Sequence, residues 1–413
     1  MNNYIKSWGN TSSKIIYKVL KEKEHTLIFG NNNSYGDASI PLSNETIIAN
    51  KLENEFFLDS KLEIEKYMVS SQNQLFGIPG KQNVTLGGAV ASDVHGKDGF
   101  WGGSFIKNIE ELLIKLPNNE IMECSIKNNP EIFYTTIGGY GLTGNILGIK
   151  FLKNNLQFSN NFQSITKKGS GLTKLIEEFK LQHEEYGVAW IDLVNKGFKW
   201  VLEVSKPYKN KISKTKFDKE KKEFNYSVPF IGRNYLKSMS AVNNFYYKFN
   251  VNNKISSKSR IKTLYPLGVL SNTKNIVKNR KIIQVQFSIS DDYIQELENL
   301  IGALVHNQIP LLCSIKRMEA NPTNLNLSFT QKGWTVAVDF AYENFSLSSI
   351  RKFYKQLINC EGKIYLAKDS TLNEHEFKEI FPEHKEWSKV VKKIDPYNVY
   401  QSEMSKRLGI KNW

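Results

Sequence analysis

Cysteine is scarce in this chain. Its 413 residues include three, Cys124, Cys313 and Cys360, an odd number set far apart. That excludes a disulfide framework and a CxxC metal clip. Long apolar runs are missing too: no uncharged stretch reaches the roughly 18 residues of a spanning helix, and the opening "MNNYIKSWGNTSS" lacks an apolar signal core. The expectation is a protein made and kept in the cytoplasm, at most peripheral at the inner membrane face. Two phosphate-binding signatures are absent as well. No glycine run fits GxGxxG between a strand and a helix, and none fits GxxxxGK[ST], so Rossmann and P-loop readings fail. No repeat of about 20 to 50 residues is present.

Acidic residues are outnumbered, 41 Asp and Glu against 56 Lys and Arg, for a net charge of +15. Composition alone admits nucleic acid, an anionic membrane surface or a phosphorylated substrate as partner. Much of the excess lies in residues 195–222, which also hold acids; a solvated loop is the simpler reading of that tract. The 40% hydrophobic and 12% aromatic content suits globular packing, and the length suggests two domains.

Up to about residue 155 the texture is short strands and glycine turns. "HTLIFG" (25–30) and "ETIIAN" (45–50) read as strands, "NIEELLIKLPNNEIMECS" as two strands around an Asn-Asn turn, and "NPEIFYTTI" as a turn with a short helix. Beyond residue 158, "GVAWIDL", "FKWVLEVS", "KIIQVQFSI", "PLLCSIK" and "WTVAVDF" are strands. Between them, Ile294, Leu297, Leu300, Ile301 and Leu304 form one helical stripe over 290–306 behind Ser290, and 346–359 gives a second helix opening on Ser. Strands mixed with one-sided helices predict an α+β fold with a largely antiparallel sheet.

Three stretches are rich in glycine and small residues: "FGNNNSYGD" (29–37), "GIPGKQNVTLGGAVASDVHGK" (77–97) and "IGGYGLTGNILG" (137–148). Their amides can turn inward and approach a ligand with no Cβ in the way, which suits a pyrophosphate. Three such loops in one region point to a long ligand held along its length.

These stretches, with "GKIYLAKDS", "YPLG" (265–268), "QVQF" (284–287), "GWTVAVDF" (333–340) and the ending "FPEHKEWSKVVKKIDPYNVYQSEMSKRLGI", resemble the vanillyl-alcohol-oxidase superfamily of FAD enzymes with a PCMH-type FAD-binding domain. Within it they resemble the decaprenylphosphoryl-β-D-ribose 2-oxidase flavoproteins. The likeness spans nearly the whole chain in order and spacing. It implies a two-part FAD-binding domain (1–157), a substrate or cap domain on a largely antiparallel sheet with helices (158–362), and a C-terminal segment (363–413) returning to the first. It implies FAD contacts from Gly30, Asn31, Asn32, Asn33, Ser34, Tyr35, Gly36 and Asp37, then Gly80, Thr85, Leu86, Gly87 and Gly88, then Ser92, Asp93, Val94 and His95. Asn145 or Ile146 would meet the adenine end and Tyr365 the flavin. Relatives with covalent flavin often carry His where Asp37 stands. Asp cannot alkylate onto the ring, so noncovalent FAD is expected. Two departures stand out: the interval before "PGKQ" is shorter than in relatives, and "HGK" is followed by "DGFWGGSF" where they carry Asn-His-His.

The implied chemistry is oxidation of a secondary sugar hydroxyl, such as the 2-hydroxyl of a polyprenylphosphoryl pentose, as the first half of an epimerisation in cell-surface polysaccharide synthesis. Lys368 is the expected cation beside the flavin and His95 the base or hydroxyl partner. Gln284 and Gln286 alternate with apolar neighbours, so both amides share one strand face, which is either solvent or a sugar. The resemblance favours the sugar and adds Lys97, Tyr265, Lys316 and Lys368 to the pocket. Ala337 stands where relatives may carry Cys. Expected partners are a lipid-linked or free sugar, a short-chain dehydrogenase/reductase partner and an anionic membrane surface, with no nucleic acid and no metal. The alternatives are a flavin oxidase of free alditols or aldonolactones, and a basic surface-binding protein on a flavin fold that does not turn over.

Overall fold

The structure, a computed structural model, describes residues 3–16, 18–20, 27–28, 30–42, 45–47, 52, 55–156, 158–183, 185–208, 235–265, 281–321 and 327–412. Two short pairings open the chain. Strands β1 (Asn3–Lys6) and β2 (Ser13–Ile16) are antiparallel, and β3 (Lys18–Leu20) and β4 (Glu45–Ile47) are parallel. A four-stranded antiparallel sheet follows, built from β5 (Leu58–Asp59), β6 (Ile109–Lys115), β7 (Ile121–Ser125) and β8 (Asn145–Phe151) in the order β5-β8-β6-β7. Its Leu112, Ile114 and Ile149 pack with Met68, Leu86, Val90 and Phe133 of helices Ile64–Ser71, Leu86–Ala91 and Pro130–Thr136.

The second sheet holds β9 (Asn161–Ser170), β10 (Tyr186–Ile191), β11 (Lys199–Pro207), β12 (Lys254–Ser259), β13 (Ile282–Ser290), β14 (Pro310–Met318), β15 (Gly333–Ala341) and β16 (Lys363–Ile364). Their order is β12-β9-β11-β10-β14-β15-β13-β16, with every neighbouring pair antiparallel. Because side chains alternate along a strand, one face gathers Ile283, Val285, Phe287 and Ile289 of β13 with Trp334, Val336, Val338 and Phe340 of β15. That face is buried under helices Leu172–Lys180, Leu297–Val305 and Leu347–Asn359. The other face carries Gln284, Gln286, Lys316, Thr335 and Asp339, and the glycine-rich loops lie against it. The α+β expectation with a largely antiparallel sheet holds.

After β16 the chain forms helices Glu374–Ile380, His384–Ile394 and Glu403–Arg407. Trp387 of the second donates to the Thr135 carbonyl at 3.0 Å, which ties this tail to the first sheet's helices. One local reading changes. The expected helix over 290–306 is a 3-10 turn, Asp291–Glu296, kinked at Tyr293 before helix Leu297–Val305. The strand expected over 25–30 falls largely outside the described residues, as do 48–50, "PLG" at 266–268 and most of the basic tract after residue 208. Helix Tyr235–Phe249 carried no expectation at all. Among the described residues no helix is long and apolar enough to cross a membrane.

Candidate functional site

The polar face of the large sheet is laid out by register. Gln284 pairs with Asp339, Gln286 with Ala337, and Lys316 with Thr335, so all of these side chains except that of Ala337 present polar groups on one side. Gln284 donates to Asp339 Oδ1 at 2.6 Å, and Gln286 Nε2 reaches Thr335 Oγ1 at 3.1 Å. Alternation in "GWTVAVDF" is the signal that finds Thr335 and Asp339, which the sequence reading passed over.

Onto this face the 84–98 stretch brings His95. Thr85 caps helix Leu86–Ala91 by accepting from the Gly88 amide at 3.2 Å. Asp93 then turns the chain at φ +38°, held by Ser104 Oγ at 2.7 Å, the Ile106 amide at 3.1 Å and Asn321 Nδ2 at 2.8 Å. The carboxyl therefore locks the turn, and burial lifts its pKa to about 6. His95 emerges buried, with Nε2 3.0 Å from Gln286 Nε2 and Nδ1 3.2 Å from Lys316 Nζ.

The returning segment closes the site. β16 pairs with β13, the Tyr365 amide donates to the Gln286 carbonyl at 2.9 Å, and the Tyr365 hydroxyl donates to the Ser92 carbonyl at 3.0 Å. The Tyr365 ring stands 5.1 Å from His95 and 5.0 Å from Phe329. One turn on, Lys368 Nζ lies 4.1 Å from the Tyr35 ring centre, and the Tyr35 amide donates to the Ala367 carbonyl at 3.1 Å. Thus His95, Gln286, Lys316, Tyr365 and Lys368, spread over 270 positions, meet in one place.

The electrostatics of this cluster disfavour its own charges. Burial and then Lys368 bring Lys316 down to about 7, while burial, opposed by Asp339, brings Lys368 to about 8. Burial, then Lys316 and Lys368, hold His95 well below the usual histidine range, so the ring is neutral at neutral pH. Asp98 and Asp339 are each pushed up to about 6, chiefly by burial. A neutral imidazole has one donor and one acceptor nitrogen, so two networks close. With Lys316 charged, it donates to Nδ1 and Nε2–H donates to Gln286, whose amide presents oxygen. With Lys316 neutral, Nδ1–H donates to the amine and Gln286 Nε2 donates to the ring.

Other expected residues have partners within the protein. The Asp37 carboxylate is gripped at both oxygens by Arg407, at 2.8 and 2.7 Å, and Arg407 also holds Asp369 at 2.8 Å. Tyr265 is buried with its hydroxyl on Glu65 Oε2 at 2.7 Å, next to the Glu65–Arg260 ion pair. Lys97 donates to the Thr263 carbonyl, away from His95. Asn145 donates to the Tyr400 hydroxyl at 3.1 Å, and Ile146 lies in the first core. Asn31 and Asn33 both donate to the Asn83 carbonyl, at 2.8 and 3.0 Å, Asn32 donates to the Lys6 carbonyl, and the Ser34 carbonyl accepts from Trp8. Gly80, Gly87, Gly88 and Val94 line the same loops.

Two glycines have a different purpose from the one composition suggests. A Cβ on Gly36 would sit 1.7 Å from the Asp369 carbonyl oxygen, and one on Gly30 would sit 2.6 Å from Thr85 Oγ1. There the missing Cβ admits protein, not ligand. The loops still suit a flavin dinucleotide. Asn33 Oδ1 and Asn83 Oδ1 are buried acceptors with no partner among the described residues, apt for the hydroxyls of a ribityl or ribose chain. At the other end Lys316 and Lys368 offer positive charge to an electron-rich ring.

No family model matches the chain. It is 22% identical over 351 residues to the decaprenylphosphoryl-beta-D-ribose oxidase of Mycolicibacterium smegmatis, which covers 81% of this chain and 75% of that one. The likeness is that of a distant relative.

Proposed function

We propose that the chain is an FAD-dependent oxidoreductase acting on CH–OH groups, which oxidises a secondary hydroxyl of a sugar to a ketone. The observation that carries this reading is the meeting of a neutral histidine, two lysines of lowered pKa and two glutamines on one sheet face beside a loop system with unpartnered acceptors. The name of the mycobacterial relative supports a lipid-linked pentose as the kind of substrate; the finer reading proposed here is oxidation at the 2-hydroxyl, with a reductase of the short-chain class completing an epimerisation for cell-surface polysaccharide.

A bound flavin supplies a two-electron acceptor for hydride from a carbinol carbon. Residues 30–37, Thr85–Gly88, Ser92 and Tyr365 would hold it, with Asn145 and Ile146 toward its far end. With Lys316 neutral, His95 carries its proton on Nδ1; it would take the hydroxyl proton on Nε2 in place of the Gln286 contact and pass its Nδ1 proton to the Lys316 amine at 3.2 Å. Lys368 stabilises negative charge that develops during the reaction. Gln284 and Gln286 orient neighbouring sugar hydroxyls, while Tyr365 and Phe329 wall out water.

The test is an absorbance scan of purified chain followed by acid precipitation. Flavin bands that survive desalting and pass wholly into the acid supernatant are expected. A pellet that stays yellow overturns noncovalent binding, and a colourless protein that takes up no added FAD overturns the reading itself. Anaerobic bleaching by a panel of lipid-linked and free sugars then identifies the substrate.

A further inference from the structure

Residues 235–265 contain six cations, Lys237, Lys248, Lys254, Lys258, Arg260 and Lys262, and no Asp or Glu. Two are used within the fold: Lys258 pairs with Glu203 and Arg260 with Glu65. Lys237, Lys248, Lys254 and Lys262 are exposed and form no ion pair among the described residues.

Helix Tyr235–Phe249 uses one stripe to hold the large sheet. Met239 packs with Tyr35 and Ile282, Asn243 donates to Asp192 at 2.8 Å, and the Tyr246 ring meets Trp190 at 4.8 Å. A stripe flanking it, Val242, Phe245 and Phe249, follows i, i+3, i+7 spacing and is exposed to solvent. Phe245 is 62% and Phe249 68% exposed, and their rings lie 4.0 Å apart. Val251, 58% exposed, extends the apolar surface past the end of the helix, and on the edge strand β12 Lys254, opposite Thr166, shares the sheet face on which the helix rests. Among the described residues nothing covers this exposed aromatic stripe or pairs these cations, which marks it as a contact surface. Charge decides which partner. A second copy would set the four lysines against each other, since a two-fold contact repeats the same patch. An anionic bilayer instead takes aromatic rings into its interface and lysines onto its headgroups. Trp190 of β10, on which this helix rests, pairs with Ser314 of β14, two residues from Lys316, so the helix lies on the same sheet face as the catalytic cluster.

We propose that the outer stripe of helix Tyr235–Phe249, with the adjoining edge strand β12, seats the chain on an anionic lipid surface. This goes beyond the proposed chemistry and does not depend on it; such a seat would bring the site to a substrate carried on a lipid.

The experiment is co-sedimentation of the full chain with phosphatidylcholine vesicles made with and without phosphatidylglycerol. Binding is expected only to the anionic vesicles and falls steeply with added salt. Phe245→Ser with Phe249→Ser, and separately Lys248→Glu with Lys254→Glu, each lower partitioning at least about tenfold, while circular dichroism and flavin content stay unchanged. Absence of binding at low salt, or binding that neither pair alters, overturns the proposal. A wild-type oligomer that the Phe pair dissolves in light scattering also overturns it, in favour of a contact between copies.

Discussion

Replacing Lys316 by Met tests whether the site stores unfavourable charge. The lysine titrates near 7 in the folded chain against 10.5 for the free side chain, burial being the first cause and Lys368 the second. A gap of that size has a ceiling of about 5 kcal/mol, at roughly 1.4 kcal/mol per unit. Part of the side chain reaches solvent, and Met forfeits the contact to His95, worth about 1 kcal/mol. The expected net gain for Lys316→Met is therefore about 1 to 3 kcal/mol at pH 7. The sign follows from linkage. Above the unfolded pKa neither state holds the proton and the difference vanishes. As pH falls toward 7 the unfolded chain takes up a proton that the folded chain refuses, so wild type loses stability and the variant does not. Urea unfolding of flavin-free protein, followed by tryptophan fluorescence at pH 7, 8, 9 and 10, reads this directly. Nitrogen-15 spectra of the imidazole add an independent readout: His95 changes tautomer near pH 7 in wild type and stays fixed in the variant. A variant less stable than wild type at pH 7, or a stability difference flat across the series, refutes the reasoning.

Two further outcomes follow from the same geometry. Under the proposed function, Lys368→Ala is expected to retain flavin, since the residues proposed to hold it (30–37, 85–92 and Tyr365) remain, while substrate-driven bleaching in stopped flow slows by about 10² to 10³. Lys368→Arg recovers little, because a planar guanidinium does not fit the place of a compact ammonium over Tyr35; a rate within about threefold of wild type removes Lys368 from the mechanism. Arg407→Met leaves the Asp37 and Asp369 carboxylates facing each other without a cation, at an expected cost of about 3 to 5 kcal/mol at neutral pH. A melting temperature unchanged at neutral pH would show that the loop carrying Asp37 is not held by this pair.

Much of the layout could be read from sequence because period and turn chemistry act locally. Alternation in "KIIQVQFSI" and "WTVAVDF" fixed which residues face the core and put Gln284 and Gln286 on the other side, as β13 and β15 have them. The Asn-Asn turn between β6 and β7 was legible for the same reason, with Asn119 at φ +69° taking the left-handed position. Helix Leu347–Asn359 opened on its capping Ser346, which accepts from the Ser349 amide at 3.3 Å.

Partners remote in sequence were a different matter. Nothing in residues 84–97 says that Nδ1 of His95 will stand against Lys316, 221 positions away, because that contact depends on the register β14 keeps with β15 and on how the Asp93 turn seats the loop. The resemblance assigned Asp37 and Tyr265 to a ligand; in the fold Arg407 and Glu65 are their partners, since a buried polar group takes the partner that packing puts in reach. Composition also explained Gly36 by ligand access, whereas the close approach of the Asp369 carbonyl is what forbids a Cβ there. The sequence by itself determined the strands, their apolar faces and the small-residue loops, all products of neighbours along the chain. Which polar side chains meet, and how far burial moves their protons, was decided only when the large sheet, the glycine loops and the returning tail were packed together, because desolvation and hydrogen-bond geometry are properties of that packing.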